Sequence, residues 1–307
     1  MKPYRFQFCH AMGLVAWFIF LASPVFSDSN NDLKITIQQN SIHVNSAERP
    51  LLEYKYADAP FKPYIKQLFT PNGNNILRDA PHDHLHHHAL MFAVSLNDIS
   101  FWEESENAGK QEHQSVRQVS VSQNSVATFQ ETLVWKSREN EIWADELRTI
   151  QIEHLPKHKA TRLQWTTSLV PREGPIKVGG SHYYGLGMRF IESMDNIGSF
   201  INSESADGAI FRGEERLIDA NWCAYSSNSD FPVTVCVMNS PQNKQPATWF
   251  TMPTPFSYLS ATLRYHEKPI EITQNSPLKL RYTVGLWDEI KAKNEIENIY
   301  QEWSQQD

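Results

Sequence analysis

The chain has 307 residues, 40% hydrophobic and 12% aromatic, with nine tryptophans and a formal charge of −7. That acidity, with no basic stripe to release counterions, excludes nucleic acid as a partner. Beyond the first residues no apolar run is long enough to span a bilayer, so no membrane span is expected in the mature chain.

Lys2 and Arg5 precede an apolar stretch from Met12 to Ala22, and Val25 and Ser27 are small enough to flank a cleavage site. This pattern predicts a signal peptide over 1–27 and an exported protein, periplasmic or secreted. Cys9 precedes the apolar stretch, which excludes it as a lipoprotein attachment cysteine. Without residues 1–27 there remain 26 basic and 35 acidic side chains, a charge of −9. Residues 28–307 are expected to form one large β domain.

Strand patterns with period-two alternation then dominate. Leu33–Gln38 and Ser41–Asn45 form a hairpin across Gln39-Asn40, followed by Leu51–Tyr56 and Pro63–Phe69. Asn72-Gly73-Asn74 is a turn. After a histidine run come Ala89–Leu96 and Ile99–Glu103. Long strands follow at Ser115–Ser122, Val126–Ser137, Ile142–His154 and Thr161–Leu169. The second half continues with Ile176–Gly179, His182–Ile191, Ala209–Phe211, Arg216–Tyr225, Pro232–Asn239, Thr248–Met252, Tyr258–Leu263 and Leu278–Trp287. One helix is expected, over Glu289–Trp303, with its apolar side chains at helical spacing. Many strands and few crossover helices define an all-β, mainly antiparallel sandwich of two curved sheets with a C-terminal helix. Cys223 and Cys236 fall in neighbouring strands, and either a disulfide or two separate buried thiols fits that placement.

The chemistry concentrates in Pro81-His82-Asp83-His84-Leu85-His86-His87-His88. Imidazole titrates near neutral pH and is the commonest metal ligand. Neighbouring imidazoliums repel, so a cluster this dense marks a site. An extended backbone sends His84, His86 and His88 to one face and His87 to the other. His84 and His86 with Asp83 are then a candidate set for a divalent metal. Acid–base catalysis without metal fits the same residues, as does a polar edge satisfying backbone groups. Arg78 is a candidate substrate-binding fork, or else a salt-bridge partner that orders the loop. A hairpin between the strands at 89–96 and 99–103 returns Trp102 and Glu103 toward the histidines, as a stacking platform and a general base. His182 and Tyr183, in a glycine-dense stretch, are candidates from the second half. Trp222 is a further aromatic candidate, and the loop Trp249–Phe256 a possible groove wall. No cofactor can be named from these motifs.

These residues resemble a known family. Arg78-Asp79, Asp83-His84-Leu85-His86-His87-His88-Ala89-Leu90-Met91-Phe92-Ala93 and Phe101-Trp102 are similar to the signature of the bacterial proteins catalogued as the "PmoA family". The similarity continues through Tyr184–Arg189, Val233–Pro241, Trp249-Phe250 and Leu280–Trp287. The family pattern reads roughly Asp-His-Pro-His-His-Arg-Gly, so Asp83, His84, His86 and His87 carry over. Leu85, His88 and Ala89 replace its proline, arginine and glycine. The label points to a subunit of methane monooxygenase, an integral membrane protein, which this sequence does not match. The resemblance implies instead a galactose-mutarotase-like supersandwich of carbohydrate catabolism, in which histidines on a concave sheet act as acid and base at a sugar ring. The expected function is an exported carbohydrate-processing enzyme, an epimerase, lyase or hydrolase, acting on a carbohydrate or other small-molecule substrate. A non-catalytic glycan-binding sandwich is the alternative.

Overall fold

Alternation builds the sheets. Along Ala127–Lys136, Ala127, Phe129, Glu131 and Leu133 are buried while Thr128, Gln130 and Thr132 are partly open. Along Ala160–Pro171 the same period repeats. The computed structural model describes Met1 and residues 33–47, 49–244 and 247–305. The predicted signal peptide therefore lies outside the described residues, apart from Met1.

Three antiparallel sheets result. The largest has ten strands, in the spatial order Leu33–Ile37, Ser41–Ser46, Arg49–Lys55, Tyr64–Leu68, Leu90–Ala93, Gly185–Arg189, Tyr258–Thr262, Thr248–Met252, Glu215–Asp219 and Ala209–Arg212. The second has eight strands and contains the long ones, with Ile142–Leu155 paired to both Ala127–Lys136 and Ala160–Pro171, the former with one register shift between Ile142 and Ala144. A small four-stranded sheet joins Ser95–Leu96, Ile99–Ser100, Ile176–Gly179 and Ile270–Ile272. This is the expected antiparallel β-sandwich.

Two predicted strands are each broken in two. Ala89–Leu96 divides at Val94, so that Leu90–Ala93 joins the ten-stranded sheet and Ser95–Leu96 the small one. Arg216–Tyr225 divides at Ala220-Asn221, and its halves enter the ten- and eight-stranded sheets. The first break falls inside a run of buried residues, Ala89–Val94, whereas the second falls between the exposed Asp219 and Asn221. Periodicity cannot distinguish one long strand from a strand that changes sheets.

The helix Lys293–Ser304 closes the described chain. Glu295 accepts a hydrogen bond from the Ala292 N–H at 2.9 Å, which answers one of the free N–H groups near the helix start. Ile296, Ile299, Tyr300 and Trp303 bury against Ala160, Trp222, Cys236 and Trp287. Cys223 belongs instead to the main core. The pairing Cys223↔Val237 and Ala224↔Cys236 sends the two thiols to opposite faces, and both are free and buried.

Within the core lies a fully satisfied polar network. Arg148 is 0% exposed and donates from Nε and Nη2 to Glu146 at 3.0 Å each. Its Nη1 donates to Tyr54 Oη at 3.1 Å and Pro63 O at 2.9 Å, and its Nη2 also to Gln111 Oε1 at 2.9 Å. Glu146 accepts further bonds from Trp135 Nε1 at 2.8 Å and Thr167 Oγ1 at 3.0 Å.

Candidate functional site

The histidine run folds as two successive tight turns. The His84 N–H donates to Pro81 O at 2.9 Å, and the His87 N–H to His84 O at 2.9 Å. The loop is closed by a bridge between Asp79 and His88 and by the Ala80 N–H donating to His87 O at 2.9 Å. Ala80 and Ala89, at its two ends, have φ of 43° and 45°, the left-handed region that favours glycine. The glycine of the resembled family pattern falls on Ala89.

These turns replace the expected period-two alternation. His84, His86 and His87 reach one cavity of about 370 Å³. Their ring centroids stand 4.6 Å apart for His84–His87, 4.6 Å for His86–His87 and 5.8 Å for His84–His86. His88, grouped with His84 and His86 by alternation, turns away instead. Its Nδ1 meets Asp79 Oδ1 at 2.9 Å, its Nε2 lies 2.9 Å from Glu104 Oε1, and Lys62 Nζ reaches the same Glu104 at 2.6 Å. That buried relay supports the loop from below.

The other walls come from one face of the ten-stranded sheet. Glu215 and Leu217 share a face, Leu217 pairs with Phe250, Met252 pairs with Tyr258, and Tyr258 pairs with Arg189. Strand alternation therefore places Glu215, Phe250, Met252, Tyr258 and Arg189 together. Glu103 and Tyr183 complete the cavity with Arg212, Pro255 and Phe256.

Contacts orient the polar groups. Glu103 Oε2 lies 3.5 Å from His86 Nε2, and Glu103 Oε1 accepts from Tyr183 Oη at 3.4 Å. Glu103 thus returns to the histidines as expected, although the ladder ends at Ser100. His84 Nδ1 meets Asp83 Oδ2 at 3.0 Å. Glu215 is held by His182 Nε2 at 3.1 Å and Arg212 Nη2 at 2.6 Å. His182 itself stacks on Phe211 at 3.7 Å and acts on the cavity through Glu215.

Burial sets the charge state of the imidazoles. It pushes His87 down to about 2, helped by the repulsion that a proton there would meet from Arg189 and from any proton on His86 or His84. His86 is lowered by burial as well, against the pull of Glu103. For His88 burial acts downward, but the hydrogen bond to Asp79 and the contact with Glu104 leave it raised. Burial thus disfavours the charged forms of His86 and His87 in the cavity, whereas the carboxylates beneath it favour the charged form of His88.

Several expectations need correction. Trp102 is 0% exposed and stacks flat on Tyr184 at 5.1 Å, so its face is closed to a ligand. Trp222 lies in the cluster under the terminal helix and donates from Nε1 to Glu297 at 2.7 Å, away from the cavity. Arg78 pairs with Glu192 at 3.4 Å and Asp195 at 3.5 Å, the ordering role rather than the substrate fork. Among the described residues no three His, Cys, Asp or Glu side chains are arranged to hold a metal ion. In the expected set, Asp83 is engaged by His84, and Arg189 lies 3.5 Å from it.

The sequence did not single out Glu215, Arg212 or Tyr258. Glu215 and Tyr258 reach the cavity through register between distant strands. Arg189 carried one legible signal, a charge inside the apolar strand Gly185–Arg189, all of whose residues are buried.

The family described as "Family of unknown function (DUF6807)" matches residues 41–301, and the chain belongs to it. No curated protein matches. Among solved structures, the chain is similar to an α-galactosidase from Lactobacillus brevis, at 5% identity and a TM-score of 0.47, over 89% of this chain and 42% of that one. It is similar to an α-galactosidase from Geobacillus stearothermophilus at 9% identity and a TM-score of 0.43, over 84% and 41% of the two chains. A galactose mutarotase related enzyme from Lactobacillus acidophilus shows 7% identity and a TM-score of 0.36, over 85% and 100%. The chain thus spans less than half the length of either α-galactosidase. Among the described residues no helix is long and apolar enough to cross a membrane.

Proposed function

We propose that this protein is an exported carbohydrate-processing enzyme whose cavity performs acid–base chemistry on a sugar. The observation that carries this reading is the convergence of His84, His86 and His87 with Glu103 and Glu215 in one cavity of about 370 Å³, roomy enough for a sugar ring. Phe250, Phe256, Tyr183 and Tyr258 provide apolar walls of the kind that pack on sugar rings. The Asp83, His84, His86 and His87 pattern, which resembles that of the "PmoA family", lines or borders the same cavity. The signal pattern over 1–27 supports export.

The chemistry follows from charge state. A base must be unprotonated at the working pH, and burial keeps His86 neutral. As His86 takes a proton, its new charge faces Glu103 at 3.5 Å, which stabilises it. His84 is oriented by Asp83, and Glu215 by His182 and Arg212. Epimerase, lyase and hydrolase reactions all use such a set.

The test is incubation with a panel of aldoses, uronates and glycosides, followed by proton NMR for anomer exchange, elimination or bond cleavage. Turnover is expected, falling about 10²–10⁴-fold in Glu103→Gln and His86→Asn. Binding without turnover would favour the second reading, a glycan-binding sandwich, which the four aromatic walls support. Undiminished turnover in both variants would refute the proposed chemistry.

A further inference from the structure

We infer that the floor of the cavity binds a carboxylate, so that the substrate is an acidic sugar; the inference rests on the sugar-site reading above and narrows it. Tyr258 and His87 line the cavity at 2% and 7% exposure. Neither Tyr258 Oη nor His87 Nδ1 has a hydrogen-bond partner. Next to them, Trp102 Nε1 and Arg189 Nε and Nη1 are buried and equally without partners. Buried polar atoms are almost always paired, so orphans gathered at one place, two of the groups on the cavity wall and two behind it, mark a ligand group.

Topology brings them together. Tyr258 and Arg189 are cross-strand partners, so their side chains rise side by side from one face. A Cβ at Gly187 would meet Tyr258 Oη at 2.2 Å and the Trp102 ring at 2.6 Å. The glycine makes room for both groups. His87 stands 5.0 Å from the Tyr258 ring and 6.4 Å from Trp102.

The set is donor-rich. An indole N–H and a guanidinium only donate, and Tyr258 adds a hydroxyl proton. The acids near Arg189 answer one nitrogen alone: Asp83 Oδ2 at 3.5 Å and Asp195 Oδ2 at 3.9 Å both reach Nη2. Asp195 is also shared with Arg78 at 3.5 Å. A neutral sugar offers hydroxyls that donate as readily as they accept. A carboxylate offers only acceptors and a negative charge, which is the complement of this floor. The Phe256 ring covers the guanidinium, with its centroid 3.4 Å from the central carbon. Tyr258 and His87, which line the cavity, would be the groups that reach the carboxylate, and Arg189 would supply positive potential from behind that ring.

Calorimetry at pH 7 with D-glucuronate and D-galacturonate, against D-glucose and D-galactose, tests this. The acids are expected to bind roughly tenfold tighter than the neutral sugars. Tyr258→Phe, which removes one oxygen and keeps the ring wall, should erase most of that preference. Arg189→Met should do the same, and Tyr258→Phe keeps the test decisive if Arg189→Met fails to fold. Equal affinity for both classes, or a preference that survives both substitutions, overturns the inference and leaves the sugar site standing. Binding of neither class by the folded protein overturns the inference and the sugar-site reading together.

Discussion

Arg148 and Arg189 are both buried, at 0% and 1% exposure, and they are held in opposite ways. Every nitrogen of Arg148 donates to a fixed acceptor, and its carboxylate partner Glu146 is itself saturated. Arg189 has two nitrogens with no partner and lies beneath the ring of Phe256. A complete network fixes a fold, because removing any member strands the others. An incomplete one beside a cavity is left open for something that arrives. A milder contrast divides the histidines: His88 has a carboxylate oxygen 2.9 Å from each ring nitrogen, whereas no partner stands by Nδ1 of the buried His87.

The largest expected effect separates the two arginines. Arg148→Met leaves Glu146 charged and unpaired, and should cost about 3–5 kcal/mol in urea unfolding. Arg189→Met should cost no more than about 1 kcal/mol, since its acid neighbours are 3.5 Å and 3.9 Å away and remain partly open. Equal losses would erase the distinction between a fold arginine and a site arginine.

Next is acid sensitivity. Native His87 takes no proton until about pH 2, whereas the unfolded imidazole takes one near 6.5. Below that value the unfolded state binds more protons, so this contribution falls as pH drops from about 6.5. His88 works in the opposite sense, since its raised value stabilises the native state at low pH and that contribution is lost as pH rises through it. His87→Phe should therefore show a smaller drop in urea midpoint between pH 7.5 and pH 5 than the parent. An unchanged drop would mean that His87 is not the buried neutral group.

Smaller effects sharpen the boundary of the site. Trp222→Phe loses the bond to Glu297 and part of the helix packing, and should cost about 1–2 kcal/mol without altering sugar affinity. Ala89→Gly relieves a left-handed alanine and should be stabilising by up to about 1 kcal/mol. A loss of stability there would show that the turn needs the methyl group more than the conformational freedom.

The legible and illegible parts divide along physical lines. Alternation exposed nearly every strand, because one face of each is buried. It missed the sheet changes at Val94, where buried residues continue through the break, and at Ala220-Asn221, where two exposed residues flank a single buried alanine. The histidine motif announced the site, yet tight turns rather than extended backbone decide that His87 joins His84 and His86 while His88 leaves. Glu215 and Tyr258 enter the cavity only through pairing between strands far apart in the chain. Trp222 and Trp102 had the composition of sugar platforms and proved to be packing, since an aromatic side chain does not declare in sequence whether its face is open.

The most direct test follows the imidazole nitrogens of His86 and His87 by NMR at pH 7 while the best-binding sugar of the panel is added. The account predicts neutral rings in the free protein and a joint change in both on saturation, with His158, which meets Glu302 of the terminal helix at 3.1 Å, unmoved. Charged rings in the free protein, or resonances of His86 and His87 that stay fixed while the sugar binds, would contradict it.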